Sequence, residues 1–279
     1  MTTPAPHAIH PTRPLRGGTP IPIVGLGVYQ TPAGEPTRRA VRHALSVGYR
    51  HIDTARIYDN EEDVGRAIRE SGVPREEIFV TTKLWNSDHG YDRALRACDA
   101  SLRRLGLEWV DLYLVHWPVA HARRETWRAM VELKAGGKAR AIGVSNFTVR
   151  HLEEVLASSD VVPQVNQIEL HPFLFPRDIV AFCEKHGTVV EAYSPLTRGE
   201  RLRDPRIVAV ADALGRTPAQ ILVRWGIEHG FVSLPKSVRP KRIEENAEVF
   251  GFTIPAEHMK TLDALHEDLH TSWDPTGAP

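Results

Sequence analysis

Four side chains in the first half of the chain have the types needed for proton transfer: Asp53, Tyr58, Lys83 and His116. A phenol ionises near pH 10 (about 10), too high to release its proton readily at neutral pH. A neighbouring ammonium favours the phenolate and pulls that value down, and Lys83 can be that ammonium. An amine in a protein interior must itself be held charged, which Asp53 can do. His116 can hydrogen-bond the oxygen that receives the proton and fix its approach. The chemistry such a set suits is proton donation to a carbonyl. The matching hydride cannot come from a side chain and implies a nicotinamide cofactor. Each residue alone has a plainer reading: Asp53 as a helix cap, Tyr58 as a rim aromatic, Lys83 as a surface amine and His116 as a core histidine. What makes them a set is that each stands at or just after the end of a strand-like run.

Eight such runs alternate with helical ones. They are 21–29, 49–55, 78–85, 110–117, 139–147, 163–170, 188–196 and 231–237. Several are apolar throughout their centres, as strands covered on both faces are. Between them, segments such as EPTRRAVRHALSVG and GYDRALRACDASLRRLG carry apolar residues at helical spacing, and RDIVAFCEKHG and PAQILVRWGIEHG stop at glycine. Residues 204–230 have room for two helices. Strand–helix alternation implies parallel strands with right-handed crossovers, and eight units predict a closed (β/α)8 TIM barrel. The predicted domain is 19–279, preceded by a Pro-rich tail over 1–18. IPAEHMKTLDALHE adds an extra helix before a C-terminal tail. In such a barrel function gathers at the C-terminal strand ends, where the four residues fall.

Composition removes several other classes. With 42% hydrophobic and 25% charged residues over 279 positions, the chain can build its own core. Lys+Arg and Asp+Glu both number 35, so the broad basic footprint of a nucleic-acid binder is missing. No apolar run reaches membrane-spanning length, and MTTPAPHAIHPTRP has no apolar secretory core. The two cysteines, Cys98 and Cys183, form no CxxC pair and read as buried filler in a reducing compartment. Cytoplasm is the default location, and the Asn146-Phe147-Thr148 sequon carries no weight there. Gly25-Leu26-Gly27 is followed by Gln30 and fails the dinucleotide fingerprint; Gly143-Val144-Ser145-Asn146-Phe147 lacks the second glycine of a nucleophile elbow. Fourteen histidines include no HExxH, so no metal is expected. Nothing in the pattern demands a protein partner, so a monomer is expected.

DTARIYDNEEDVG (53–65) resembles the signature of the aldo-keto reductases. TTKLW (81–85) is similar to that family's lysine strand, VDLYLVHWP (110–118) to its histidine strand, and LPKSVRPKRIEEN (234–246) to its cofactor-phosphate segment. GVSNF (143–147) and VNQIELHP (165–172) also fit, in the same order and spacing. Within the family, TTKLWNSDHGYDRAL looks most similar to the bacterial 2,5-diketo-D-gluconate reductases. The resemblance implies NADPH-dependent reduction of a small aldehyde or ketone. Tyr58 would be the general acid, Lys83 its pKa-lowering neighbour, Asp53 the partner of Lys83 and His116 the orienter. Ser145, Asn146 and Gln167 would bind the nicotinamide amide, Tyr193 would stack on the ring, and Ser194 and Leu196 would flank the pyrophosphate. Lys236, Ser237 and Arg242 would hold the adenosine 2′-phosphate, with Glu245 and Asn246 near the adenine. Cations at a helix start oppose its dipole, which also favours a bound anion there. Tyr29, Trp85 and Trp117 would wall the substrate, and Trp273 in the tail would fold over the mouth. Pro11, Pro14, Pro20 and Pro22 predict an irregular version of the family's barrel-bottom hairpin, since proline removes ladder donors. The short loops VAHARRETW and TRGERLRDP imply an open pocket without a long cofactor clasp. Two rivals need other features. A Schiff-base aldolase would need a neutral Lys83, and a cofactor sensor would have no use for the full set of four.

Overall fold

The computed structural model describes residues 11–278. Eight parallel strands follow one another around a barrel: β3 (Leu26–Gly27), β4 (His51–Asp53), β5 (Phe79–Leu84), β6 (Val110–Val115), β7 (Ala139–Ser145), β8 (Val165–Glu169), β9 (Val189–Tyr193) and β10 (Val232–Leu234). Each pairs with the next in the chain. The ring closes where the Gly25 N–H donates to Ser233 O and the Ser233 N–H donates to Ile23 O, both at 2.9 Å. Gly25 makes this seam possible, because a Cβ there would lie 2.7 Å from Leu234 Cδ2 and 2.8 Å from the His51 ring. The glycines that fail as a dinucleotide fingerprint therefore belong to a close strand approach.

Two corrections concern the N-terminal part. The run 21–29 is not one strand: Pro20–Pro22 (β2) pairs antiparallel with Thr12–Pro14 (β1), and only Leu26–Gly27 joins the barrel. Residues 12–18 thus belong to the folded unit, while the rest of the expected tail, 1–10, lies outside the described residues. The hairpin is also regular despite its prolines. Its ladder bonds run from Ile23 N–H to Pro11 O and from Leu15 N–H to Thr19 O. Pro14, Pro20 and Pro22 occupy the alternate positions, which give no N–H to the ladder. Leu15 and Ile21 of this hairpin close the barrel bottom, packing against Phe79, Leu112, Val165, Val189 and Val232.

The helices surround the barrel. They are α1 (Glu35–Ser46), α2 (Glu61–Glu70), α3 (Tyr91–Leu105), α4 (Arg123–Ala135), α5 (Val149–Ser158), α6 (Arg177–His186), α7 (Pro205–Leu214), α8 (Pro218–Glu228), α9 (Pro240–Ala247) and α10 (Ala256–Asp263). Residues 204–230 hold two helices, as the spacing predicts. α8 opens with a capping box in which Thr217 and Gln220 exchange side-chain and backbone bonds. Gly106 and Gly187 end α3 and α6 in the left-handed conformation. The main apolar core, with Trp127, Trp225 and Tyr113 fully buried, lies between strands and helices. No helix among the described residues is long and apolar enough to cross a membrane.

Inside the barrel, alternate residues of a strand face the axis. Up β5 these are Phe79, Thr81 and Lys83; up β8, Val165, Gln167 and Glu169; up β9, Val189, Glu191 and Tyr193. The interior passes from apolar to polar toward the C-terminal strand ends.

Candidate active site

Asp53 ends β4, and the chain then turns through a short 3-10 segment, Arg56–Tyr58. Asn60 holds that turn, its Oδ1 accepting from Thr54 Oγ1 at 2.7 Å and its Nδ2 donating to Val28 O at 3.0 Å. Glu61 ties the start of α2 to β5 and α3, accepting from Thr82 Oγ1 and Arg104 Nε at 2.6 Å each. The Asn-Glu pair of the motif therefore fixes the loop that presents Tyr58. Lys83 is fully buried; its Nζ donates to Asp53 Oδ1 at 2.6 Å and to Thr54 O at 2.9 Å. That ammonium lies 5.2 Å from the centre of the Tyr58 ring, and the His116 ring is 5.7 Å away, edge-on. The structure therefore brings all four candidate residues together.

Tyr58 is protonated in the resting protein. Burial pushes its phenol well above the ordinary range, and Asp53 and Tyr29 push the same way. The Lys83 ammonium near the ring is paired with the Asp53 carboxylate. Tyr58 thus keeps its proton at neutral pH, the form an acid needs, and its hydroxyl has no hydrogen-bond partner among the described residues. His116 is held well below its usual value, first by burial and then by Lys83, so its imidazole is neutral. Its Nδ1 is buried without a partner. With the hydrogen assigned to Nε2, the unpartnered Nδ1 is left as a lone pair. The imidazole is then a donor toward the cleft.

That cleft has a volume of about 960 Å³, at the large end for small-molecule sites. Asp53, Tyr58 and His116 line it, and Lys83 lies beneath its floor. Ser145, Asn146, Gln167, Tyr193, Ser194 and Leu196 line its central wall; Lys236, Ser237, Arg242, Glu245 and Asn246 line its far end. Asn146 adopts a left-handed backbone (φ 64) and is held by Tyr193, whose hydroxyl donates to Asn146 Oδ1 at 2.8 Å. Asn146 Nδ2 donates to His116 O at 3.0 Å, linking this wall to the histidine strand. At the far end α9 begins with Arg239 at its cap and no acidic residue in its first turn. Lys236 donates to Gln30 O at 3.3 Å, whereas the guanidinium groups of Arg239 and Arg242 have no protein partner among the described residues. Free cations beside Ser237 and a helix N-terminus suit a phosphate. The donor set fits a phosphorylated dinucleotide.

The mouth is aromatic. Tyr29 is 45% exposed and lies 5.0 Å ring to ring from Tyr58, and Trp85 lies 5.3 Å from His116. Trp117 meets Trp273 of the C-terminal segment at 4.7 Å. Glu169, at the end of β8, holds that segment: its carboxylate accepts from Thr271 N–H at 2.9 Å, Ser272 N–H at 3.0 Å and the Thr271 hydroxyl. Trp273 thus reaches the mouth, as the sequence suggests. The short loop after β9 also reaches it, with the Arg198 guanidinium 5.7 Å from the centre of the Tyr29 ring.

Sequence reasoning missed Glu191, Glu169, Arg198 and Arg239. A glutamate inside the apolar run TVVEAY was a readable signal for the first. Arg239 stood within the quoted LPKSVRPKRIEEN. Nothing local marked Arg198 or Glu169. Among the described residues no group of three or more His, Cys, Asp or Glu could hold a metal ion.

Fold and site together define a (β/α)8 enzyme with its reactive groups at the C-terminal strand ends. Residues 24–267 match the Aldo/keto reductase family, and the chain belongs to it. It is 49% identical over 263 residues to an aldo-keto reductase of Mycolicibacterium smegmatis, covering 94% of this chain and 95% of the relative. Glyoxal reductase of Bacillus subtilis is 44% identical over 270 residues, covering 97% and 98%. Gox0644, solved as a variant in complex with NADPH, superposes with a TM-score of 0.90 at 43% identity, covering 97% of this chain and 99% of that one.

Proposed function

We propose that the protein reduces a small aldehyde or ketone to the alcohol with NADPH, Tyr58 acting as general acid. The carrying observation is the unpartnered Tyr58 hydroxyl in the cleft, between the buried Lys83–Asp53 pair and a neutral His116. NADPH, when bound, supplies the hydride. Ser145, Asn146 and Gln167 would hold its carboxamide and Tyr193 its ring. Ser194 and Leu196 would flank the pyrophosphate, and Lys236, Ser237 and Arg242 would take the 2′-phosphate. Glu245 and Asn246 would face the adenine. His116 Nε2–H orients the carbonyl oxygen, and Tyr58 gives that oxygen its proton. The phenolate left behind faces Lys83, so the ammonium acts at the moment charge develops. Tyr29, Trp85 and Trp117 exclude water and favour a compact, largely apolar substrate. A 2-oxoaldehyde suits this mouth. A diketo sugar acid of the 2,5-diketo-D-gluconate kind is the second reading, favoured by Arg198, which could pair its carboxylate. A cytoplasmic location is part of the same proposal, supported by the free, buried Cys98 and Cys183, and so is a monomeric enzyme.

The test is NADPH oxidation against methylglyoxal, an aromatic aldehyde and a diketo sugar acid, with NADH in parallel. Tyr58→Phe should lower kcat by about 10²–10⁴, the usual worth of a positioned acid, with NADPH affinity unchanged within a few-fold. Undiminished turnover in Tyr58→Phe would remove Tyr58 from the acid role.

A further inference from the structure

The barrel interior holds a second carboxyl group that the reaction above does not use. Glu191 lies mid-way along β9, in register with Gln167 on β8 and Val232 on β10, and is fully buried. Its Oε2 accepts from Gln167 Nε2 at 2.6 Å, and the same nitrogen donates to Asp53 Oδ2 at 2.9 Å. An amide nitrogen has two hydrogens, so both are spent on these two carboxyl groups. What Gln167 has left for the cleft it lines is its oxygen, Oε1, which no side chain or N–H of the described residues engages.

We propose that Glu191 is a positioning residue: by taking the second hydrogen of Gln167, it fixes that amide so that Oε1 faces the cleft as an acceptor for the carboxamide NH2 of the nicotinamide. This rests on the NADPH reading above. Without Glu191 the Gln167 amide has one carboxylate partner, Asp53, and can turn its nitrogen outward, presenting a donor where an acceptor is needed. The groups that face Glu191 are Asp53 and His51 from β4, Lys83 from β5 and Gln167 from β8; His51 Nε2 is 3.6 Å from Glu191 Oε1. Burial and the Asp53 charge push the Glu191 carboxyl up to about 8, against the pull of Gln167 and Lys83. A glutamine at 191 supplies the same acceptor oxygen without a charge.

The experiment measures binding of NADP+ and of its 3-acetylpyridine analogue, in which a methyl replaces the carboxamide NH2, by quenching of tryptophan fluorescence. The proteins are the wild type, Glu191→Gln, Glu191→Leu and Glu191→Thr; threonine suits a strand and is too short to reach Gln167. The wild type should prefer NADP+ by about five- to tenfold, the worth of one hydrogen bond. Glu191→Gln should keep that preference. Glu191→Leu and Glu191→Thr should bring the ratio close to one, with the analogue's own affinity little changed. An unchanged ratio in whichever of these two folds would overturn the role of Glu191. A wild type that binds neither nucleotide, or does not distinguish them, would instead overturn the cofactor reading beneath it.

Discussion

Replacing Glu169 with alanine should release the C-terminal segment from the mouth of the cleft. The carboxylate accepts two backbone N–H groups and one hydroxyl from Thr271 and Ser272. Hydrogen bonds to a charged group contribute about 1.5–3 kcal/mol each. Against them stands the ordering of residues 271–273, at about 1–2 kcal/mol per residue. The difference leaves a latch of about 2 kcal/mol, a shift of roughly thirtyfold between docked and free. Hydrogen exchange reads it directly: the Thr271 and Ser272 amides should lose protection by that factor in Glu169→Ala. KM for an aromatic aldehyde should rise several-fold as Trp273 leaves Trp117, with kcat nearly unchanged. The latch should also resist acid. Burial raises the Glu169 carboxyl, but His171 and Thr271 pull it below its ordinary value on balance. A depressed folded value means the stabilisation is present above the usual carboxylate range and lost only as pH falls beneath it. Docking should therefore be flat from neutral pH down to about pH 5. Equal exchange rates in Glu169→Ala and wild type would refute this account.

Three further outcomes follow from the same geometry. Lys83→Met strands the Asp53 carboxylate in the interior, which should cost about 3–5 kcal/mol of stability in a denaturant titration and remove most turnover. Arg242→Ala should weaken NADPH binding by about ten- to a hundredfold, as loss of a charge-assisted bond does, while leaving NADH binding unchanged. Leu15→Ala should lower stability by about 2–5 kcal/mol through the cavity it opens at the barrel bottom, with KM for NADPH and carbonyl unaffected.

Apart from the split of the first run, the barrel strands and the helices between them were readable, because parallel strands covered on both faces write themselves as near-continuous apolar runs. The set Asp53, Tyr58, Lys83 and His116 was readable because each stands at a strand end, and the barrel converts position along a strand into depth in one cleft. The N-terminal hairpin was misread for a local reason. Composition shows that prolines are present but not which side of a ladder they face, and here Pro14, Pro20 and Pro22 take the side that gives no hydrogen bonds while Pro11 only has to accept one. The burial of Tyr58, which pushes its phenol up, was not legible, because burial is a three-dimensional fact. Glu169 was invisible in its role since its partners, Thr271 and Ser272, lie more than a hundred residues away with no motif of their own.

The seam that closes the barrel also sets when the molecule can be completed. Gly25 and Ile23 find their partner in Ser233, Arg13 reaches the carbonyl of Gly230, and Arg16 reaches that of His186 at 2.8 Å. The N-terminal hairpin precedes every barrel strand in the chain, yet its seat does not exist until the last barrel strand is out. A barrel that lacks its closing strand has open edges, and open strand edges are prone to pair with another chain. Contacts spanning most of the sequence make such closure slow compared with local helix formation. The N-terminal hairpin and the segment after it can thus take their native seat only once the last barrel strand is in place.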